Sequence, residues 1–310
     1  MFKGMDYIYE IYKAGSISRA AQNLYISQPS LSASLKRVEE KIGYPLFDRG
    51  VKPLRLTEYG KEYIAAVLQI KNIENQFEAY INDLGELKTG SVRLGGTNMF
   101  ASFVLPSMIM NFHADNPHIT YEVIEETTLG LEELLRSGQL DIAVDNFVPD
   151  DDAFDYKPVG RESLILTVPA HLAVNERIKE YRIAPEAIRD RSFLSDSIPA
   201  VPLKYFEHEP FVLLKTSNDT RRRAESMCRD CGFEPSIIYE SEQQTSSYHV
   251  CCSGIGIAFI STLLLDAFPA NENIYYYKLD SPLSHRQYYF IWKKGRYVTR
   301  VMREFLNLAV

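Results

Sequence analysis

Side chains that can read DNA are concentrated in one short segment near the N-terminus. Gln28, Ser30 and Ser32 lie within SQPSLSASLKR, and Lys36 and Arg37 follow one turn later. A glutamine amide can pair with an adenine edge, serine hydroxyls reach bases or phosphates, and basic side chains neutralise phosphates. The alternative is a solvated polar helix face, which any surface helix carries. The surrounding elements must decide between the two.

Those elements have the order of a winged helix-turn-helix. Apolar residues at helical spacing predict three helices between Met5 and Gly43. Ser27 is a good N-cap for the third helix, and Pro29 falls in its first turn, where its missing N–H has no partner to lose. Residues 44–56 (YPLFDRGVKPLRL) alternate apolar and basic residues and predict a short β-wing.

In such a module the N-terminus of the third helix meets base edges, while flanking basic groups hold phosphates. The predicted DNA-binding residues are Arg19, Ser27, Gln28, Pro29, Ser30, Ser32, Lys36, Arg37, Arg49, Lys52 and Arg55.

A long helix is predicted from Thr57 to Leu87, about 45 Å at 1.5 Å per residue. Its apolar positions recur at steps of four and three without a break, which is typical of a two-chain coiled-coil seam. The alternative is a single helix lying on its own domain's core. The residues predicted to form the dimer contact are Ile70, Ile73, Phe77, Tyr80, Leu84 and Leu87.

From residue 91 onward the pattern changes to alternating strands and helices, which predicts a mostly parallel α/β sheet. Its length favours two lobes, with the chain crossing near Arg161 and returning near Pro269. The predicted helices cover residues 98–115, 128–138, 218–231, 243–253 and 296–309.

Four strand-to-helix junctions in this region are rich in hydroxyls and amides. Because ligands of open α/β sheets bind beyond the carboxyl ends of strands, we expect these junctions to line one cleft. Helix N-termini there would suit a small effector with a carboxylate or other anionic group, although simple N-capping also explains Ser, Thr and Asn. Asp145 is expected at the rim. The predicted effector-binding residues are Thr97, Asn98, Phe100, Thr127, Thr128, Ile198, Thr216, Ser217, Asn218 and Thr245.

Composition restricts the classes of protein. The 310-residue chain has a net charge of −7, but its first 58 residues are slightly basic, which fits a local DNA-binding module on an acidic body. No run of about eighteen apolar residues and no secretory signal is present, so a cytoplasmic protein without a membrane partner is expected.

Cysteine chemistry offers a second hypothesis. Cys228 and Cys231 form a C-x-x-C, and Cys251-Cys252 follows, so a zinc site or a redox switch is conceivable. Both pairs fall within predicted helices, which favours ordinary packing, and no metal or cofactor is expected. The acidic run at residues 150–152 is interpreted as a solvated loop.

Two further classes are disfavoured. None of the six histidines is paired with a carboxylate or nucleophile at a motif spacing, and there is no G-x-G-x-x-G, phosphate-binding loop or G-x-S-x-G, so no catalytic residues are predicted. A solute-binding protein would share the two lobes, but it would need a secretion signal and has no use for the first ninety residues.

The motifs resemble, in order, those of the LysR-type transcriptional regulators. AGSISRAAQNLYISQPSLSASLKRVEEKIGYPLFDRG and LTEYGKEY are similar to the family's N-terminal domain, and LGGTNMFASFVLP, LEELLRSGQLDIAV and CCSGIGIAFIS continue the resemblance. It implies an all-α winged helix-turn-helix, a linker helix that makes dimers, and a two-lobed α/β effector domain shaped like a periplasmic binding protein.

The resemblance also implies homodimers or homotetramers, inverted-repeat operators in double-stranded DNA and control of transcription by a small molecule, with RNA polymerase a further candidate partner. The expected domains are residues 1–58, 59–88 and 89–310, the last divided into lobe I (91–161 and 269–310) and lobe II (162–268).

Overall fold

A computed structural model describes residues 2–84, 90–216 and 218–308. The seam residue Leu87 and the effector residue Ser217 lie outside the described residues, as does the side chain of Leu84. The Cα packing divides the chain into two compact units, residues 1–87 with 133–139, and residues 88–132 with 140–310.

Three helices form the N-terminal unit's core because each presents an apolar stripe to the other two. Ile8 and Ile11 of the first helix and Leu31 and Leu35 of the third are fully buried. Left-handed Gly15 and Gly43 end the first and third helices, as expected for a residue without Cβ. The helices are α1 Met5–Ala14, α2 Ile17–Asn23 and α3 Gln28–Ile42.

A two-stranded wing follows, formed by β1 Phe47–Asp48 and β2 Arg55–Leu56 in antiparallel pairing. The next helix, α4 Glu58–Leu84, begins where Thr57 Oγ1 accepts the Gly60 N–H at 3.0 Å and donates to the Pro45 carbonyl at 2.7 Å. One hydroxyl thus caps α4 and ties it to the chain that enters the wing.

Gly60 permits this close approach, and its replacement gives a first prediction. A Cβ at residue 60 would lie 2.0 Å from the Leu46 carbonyl oxygen, a backbone atom that cannot rotate away. We expect Gly60→Ala to lower the free energy of unfolding of the N-terminal unit by about 2–3 kcal/mol, as overpacking does. Thermal unfolding of residues 1–84 within the 310-residue chain, monitored by limited proteolysis and mass spectrometry, measures this loss of stability. Ala65→Ser, at an exposed position of the same helix, is the control; equal stability of both variants would contradict the packing argument.

The apolar residues of α4 divide into two groups. Tyr63, Ile64 and Val67 are buried in the core of the N-terminal unit. Ile73 and Phe77, further along, are 66% and 64% exposed. The first half of the helix therefore belongs to its own domain's core, and the second half presents the apolar face on which the predicted dimer contact depends.

The larger unit is built on one eight-stranded sheet with a separate two-stranded sheet, β8–β9. The long strand β6 runs through both halves of the eight-stranded sheet, since it pairs with β12 over its first part and with β10 and β11 over its last. The strands are β3 Gly90–Gly96, β4 Ile119–Glu125, β5 Ile142–Asp145, β6 Phe154–Pro169, β7 Arg182–Ile183, β8 Pro210–Leu214, β9 Ser236–Ser241, β10 Ala258–Ser261, β11 Ile274–Tyr277 and β12 His285–Lys293.

The expectation of a mostly parallel sheet is wrong. Among the strands that the structure describes, only β3–β4, β3–β5 and β8–β9 pair in parallel, whereas β12 is antiparallel to β5 and β6, and β6 is antiparallel to β10 and β11. Strand–helix alternation predicts parallel pairing for strands joined by one helical crossover, as between β3 and β4 and between β8 and β9. The antiparallel pairs join strands that are far apart in the chain, whose relative direction the alternation does not fix.

Hydrophobic cores along β6 define two lobes. In lobe I, Leu94, Phe290 and Phe305 are fully buried. In lobe II, Phe211 and Tyr277 occupy the corresponding place. Because β11 pairs with the end of β6, it belongs to lobe II, and the chain returns to lobe I between residues 278 and 285, later than expected.

The helices cover the sheet near the predicted positions, but the last is shorter than expected and begins at Arg300 after a Thr299 cap. A π-helical turn, Phe100–Val104, precedes the first helix of this unit. No helix among the described residues has the length and apolar character needed to span a membrane. The helices are α5 Leu105–Asp115, α6 Thr128–Ser137, α7 Val174–Arg177, α8 Pro185–Arg189, α9 Asp219–Asp230, α10 Gln244–Cys252, α11 Thr262–Ala267 and α12 Arg300–Leu306.

Candidate functional sites

The first turn of α3 presents polar side chains to solvent. Gln28, Pro29 and Ser30 are exposed, while Leu31 and Leu35 anchor the opposite face in the core. Helical periodicity therefore separates a buried stripe from a polar face that is open to a ligand. Such a face suits insertion into a DNA groove.

Two serines predicted to contact DNA are less available than Gln28 and Ser30. The Ser27 hydroxyl accepts the Ser30 N–H at 3.3 Å and caps α3, so it already has a structural role. Ser32 is half-buried. Gln28 and Ser30 are the exposed polar residues that remain in this turn.

Arg49, predicted as a phosphate contact, connects the wing to the recognition helix. Its guanidinium lies 2.8 Å from the Glu39 carboxylate, which also accepts the Leu46 N–H at 2.8 Å. Glu39 thus fixes both the entry to the wing and the arginine upon it. Arg49 positions the wing as well as contributing charge.

The other predicted basic residues are exposed. Lys36 lies 3.7 Å from Glu40, with both side chains largely in solvent, and such pairs contribute below about 1 kcal/mol, so a phosphate can replace the carboxylate. The remaining exposed cations of this unit that were predicted to contact DNA are Arg19, Arg37, Lys52 and Arg55.

Sequence reasoning missed Tyr25. It is 97% exposed and adopts φ +55°, a left-handed conformation that is uncommon for an aromatic residue. The turn holds it there, since the Tyr25 N–H donates to the Gln22 carbonyl and the Ile26 N–H to the Ala21 carbonyl. A large ring held in solvent immediately before α3 is placed to meet whatever α3 contacts. Only its position in the turn between α2 and α3 could have signalled this.

The larger unit contains a cavity of about 550 Å³ between its two lobes. A volume of this size suits a small molecule. Residues at the ends of β3, β4, β5, β8 and β9 line it together with a residue of β12. They are Thr97, Asn98, Met99, Phe100, Glu125, Glu126, Thr127, Thr128, Leu129, Asp145, Asn146, Leu214, Lys215, Asn218, Asp219, Thr220, Glu242, Gln243, Gln244 and Arg286.

The lobe I side is built around a tight strand-to-helix turn. A Cβ on Gly96 would lie 2.9 Å from the Phe100 Cβ and 3.0 Å from the Ala101 N, so glycine lets the helix start against the strand. The Thr97 N–H donates to Asp145 Oδ2 at 3.2 Å. Asp145 is 1% exposed, and burial raises the pKa of its carboxyl. It therefore belongs to the floor of the cavity, not to its rim.

Some predicted effector residues act as helix caps while lining the cavity. Thr127 Oγ1 accepts the Gly130 N–H at 3.2 Å, and Asn218 Oδ1 accepts the Thr220 N–H at 2.8 Å. Capping and lining are compatible, because the remaining hydrogen-bonding capacity of each group can face the cavity.

Three predicted effector residues do not line the cavity. Ile198 packs against the lobe II core, where its loop folds onto the sheet, and Thr216 is exposed beyond the strand end. Thr245 is displaced by its neighbour Gln244, whose amide points inward to donate to Thr220 at 3.1 Å and to accept the Ser261 N–H at 2.9 Å. Phe100 lines the cavity but is fully buried in the lobe I core.

A buried ion-pair network at the junction of the lobes was not foreseen. Arg286 of β12 lies 2.6 Å from Glu162 of β6 and 3.1 Å from Asp219 of α9. Glu162 also accepts the Asn146 amide at 2.7 Å and the Ser261 hydroxyl. One carboxylate is thus bound by groups from both lobes at the strands that connect them.

Two of the four cysteines are buried and poorly suited to sensing. Burial raises the thiol pKa of Cys228 and of Cys251 to about 12, so neither forms appreciable thiolate at neutral pH. Cys231 is exposed. Over residues 2–84, 90–216 and 218–308, no group of three or more His, Cys, Asp or Glu side chains could hold a metal ion.

Comparison with known proteins agrees with this arrangement. Residues 2–61 match the family model of the bacterial regulatory helix-turn-helix proteins of the LysR family, and residues 85–310 match the LysR substrate-binding domain. The Bacillus subtilis regulators YcgK and YwbI, both described as uncharacterised HTH-type transcriptional regulators, are 25% and 27% identical over 99% and 98% of this chain and 93% of each relative.

Solved structures share the fold. Full-length CbnR in complex with its target DNA superposes with a TM-score of 0.69 at 16% identity, covering 100% of this chain and 98% of that one. A full-length OxyR variant from Pseudomonas aeruginosa gives 0.69 at 20% identity, covering 98% and 92%. Since the two family models together span nearly the whole chain and describe regulators, not enzymes, the protein belongs to the LysR family of DNA-binding transcriptional regulators, with an effector-binding domain of two lobes.

Proposed function

We propose that α3 reads an operator through its exposed N-terminal turn. The observation that carries this is the polar face of Gln28 and Ser30, which points away from the core directly after the Ser27 cap. Gln28 pairs with an adenine, while Lys36 and Arg37 hold phosphates. The DNA backbone on either side is contacted by Arg19, Lys52 and Arg55, and Tyr25 packs against it.

The exposed half of α4 supports a homodimer. Ile73 and Phe77 project apolar side chains into solvent at a spacing of four residues, as one seam of a coiled coil requires. Two copies joined along this seam would read two half-sites, so the operator is an inverted repeat. Tetramers would combine two such pairs. We propose a cytoplasmic location, where a bacterial regulator meets its DNA.

The cavity between the lobes is the effector site. A small molecule that binds better to one arrangement of the lobes would shift the population toward it. We propose that this shift changes the spacing of the DNA-binding modules and the bend of the operator. We propose residues 1–58 as the DNA-binding domain, 59–88 as the linker helix and 89–310 as the effector domain, with the second lobe crossing between residues 278 and 285.

DNA footprinting of the full chain tests the proposal. The expected result is protection of two symmetric half-sites, with hypersensitive positions between them that change when an effector saturates the cavity. An identical footprint and bend with and without a ligand shown by calorimetry to bind would contradict the switch. Protection without any sequence preference would contradict the reading by α3.

Lys52→Ala should weaken binding to all DNA sequences alike. The wing lysine is exposed and contacts a phosphate in the proposed complex, so its loss should reduce the slope of log K against log salt by about 0.9. Titrations of one specific and one scrambled duplex at several salt concentrations measure this. Lys179→Ala removes an equal charge from the effector domain and should leave the slope unchanged. Loss of binding to the specific duplex alone would contradict the phosphate role of Lys52.

A further inference from the structure

The cavity between the lobes is lined by more acidic than basic side chains. Five carboxyl groups and two cationic groups face it among the described residues. The acids are Glu125, Glu126, Asp145, Asp219 and Glu242, and the cations are Lys215 and Arg286. This excess of acidic over basic side chains is the opposite of what a site for an organic anion requires.

Both cations are already paired within the protein. Arg286, whose side chain is 4% exposed, lies 2.6 Å from Glu162 and 3.1 Å from Asp219. Lys215 forms an ion pair with Glu242. An anionic ligand would have to displace a carboxylate from either cation, and at Arg286 that would leave a buried charge without its partner, which is costly.

The helix N-termini of lobe I are also occupied by carboxylates. Asp145 accepts the Thr97 N–H at 3.2 Å, and Glu126 accepts the Thr127 N–H at 3.1 Å. These are the donors that would otherwise attract an anion, since a helix N-terminus carries about half a positive charge. At each of the two junctions of lobe I, one N–H that could bind an anionic effector is thus already taken by a carboxylate.

In lobe II, Asn218 caps α9 by accepting the Thr220 N–H. In the same lobe, α10 begins at Gln244 without a side-chain cap from Gln243. A neutral or anionic oxygen of a ligand could be accommodated there, opposite the carboxylates of lobe I.

Glu125 and Glu126 are the charges left for a ligand. Both are exposed, and neither forms an ion pair with any residue the structure describes. Glu125 accepts the Asn98 amide, at 3.0 Å. A carboxylate without a cation is stabilised by a positive group brought close to it.

We propose that the effector is a small organic cation whose protonated amine binds Glu125 and Glu126, with its aliphatic part against Met99, Leu129 and Leu214. A metal ion does not fit, because no group of metal-binding side chains of sufficient number occurs in the described parts of the chain. The proposal rests on the assignment of the cavity as the effector site and specifies the chemistry of what fills it.

Calorimetry on the full chain with compounds matched in size and differing in charge tests the class of ligand. The cationic probes are putrescine, agmatine, L-arginine and glucosamine; succinate, glutarate and 1,4-butanediol are their anionic and neutral counterparts. We expect saturable binding by at least one cation and none by the anions. Binding of an anion but no cation, or of no cation at all, would overturn the proposal. DNA binding is measured separately without any probe. If the protein binds its operator but no cation, the proposed ligand class fails while the proposed DNA-binding function stands.

Isosteric variants locate the binding group. Glu125→Gln and Glu126→Gln keep an acceptor oxygen and remove the charge, and each should weaken binding of the responsive cation about tenfold. Glu122→Gln neutralises an exposed glutamate of the same strand that does not line the cavity and should bind like the parent protein. Equal affinities of all three variants would show that the cation binds elsewhere and would overturn the assignment.

Discussion

Replacing Glu162 by alanine is expected to lower the free energy of unfolding of the effector domain by about 3–5 kcal/mol, because breaking a buried ion pair leaves the partner charge uncompensated. Arg286 would keep only Asp219, at 3.1 Å. The Asn146 amide and the Ser261 hydroxyl would also lose their acceptor.

The single tryptophan provides the measurement. Trp292 lies on β12, so its fluorescence during urea denaturation reports the effector domain in the full chain. Glu122→Ala, an exposed glutamate of β4, is the control and should change stability by less than about 0.5 kcal/mol. A loss below about 1 kcal/mol for Glu162→Ala would show that the buried network does not hold the two lobes' strands together.

The second large effect concerns DNA. Gln28→Ala should relax the preference at one base pair of each half-site by about tenfold or more, since a bidentate amide–adenine pair contributes about 1–3 kcal/mol of discrimination. Binding to scrambled DNA should change little, because the phosphate contacts remain.

Affinities for a set of duplexes with single substitutions measure this preference. Gln69→Ala makes the same change at an exposed position of α4 and should leave every affinity unchanged. A uniform loss across all duplexes with Gln28→Ala would mean that the glutamine contacts phosphate, not a base.

Much of the N-terminal unit could be predicted because its signals are local. The Ser27 cap, Pro29 in the first turn and the spacing of Leu31 and Leu35 depend only on neighbours within one helix. The same holds for Thr97 and Thr128, which follow strand ends and line the cavity.

The ion-pair network could not be predicted, because its members are brought together by strand register over long stretches of sequence. Glu162 and Arg286 are separated by 124 residues and become neighbours only when β6 pairs with β12. The sequence shows a charged residue next to each apolar run, Glu162 and Arg286, but it does not show that the two form an ion pair. The position of Ile198 outside the cavity lining has a related cause, since its loop folds onto a core that only the tertiary structure reveals.

Periodicity alone was also ambiguous in α4. The same steps of four and three bury Tyr63 in the helix's own domain and leave Ile73 and Phe77 exposed for a partner. Burial, not spacing, separates the two uses.

Selection of DNA duplexes from a random pool by the 310-residue chain tests whether α3 reads an operator. We expect an inverted repeat to be enriched, and we expect the Gln28→Ala variant to enrich the same repeat with one position of each half-site relaxed. Retention of DNA that falls with salt but shows no enriched sequence would contradict the reading of an operator by α3.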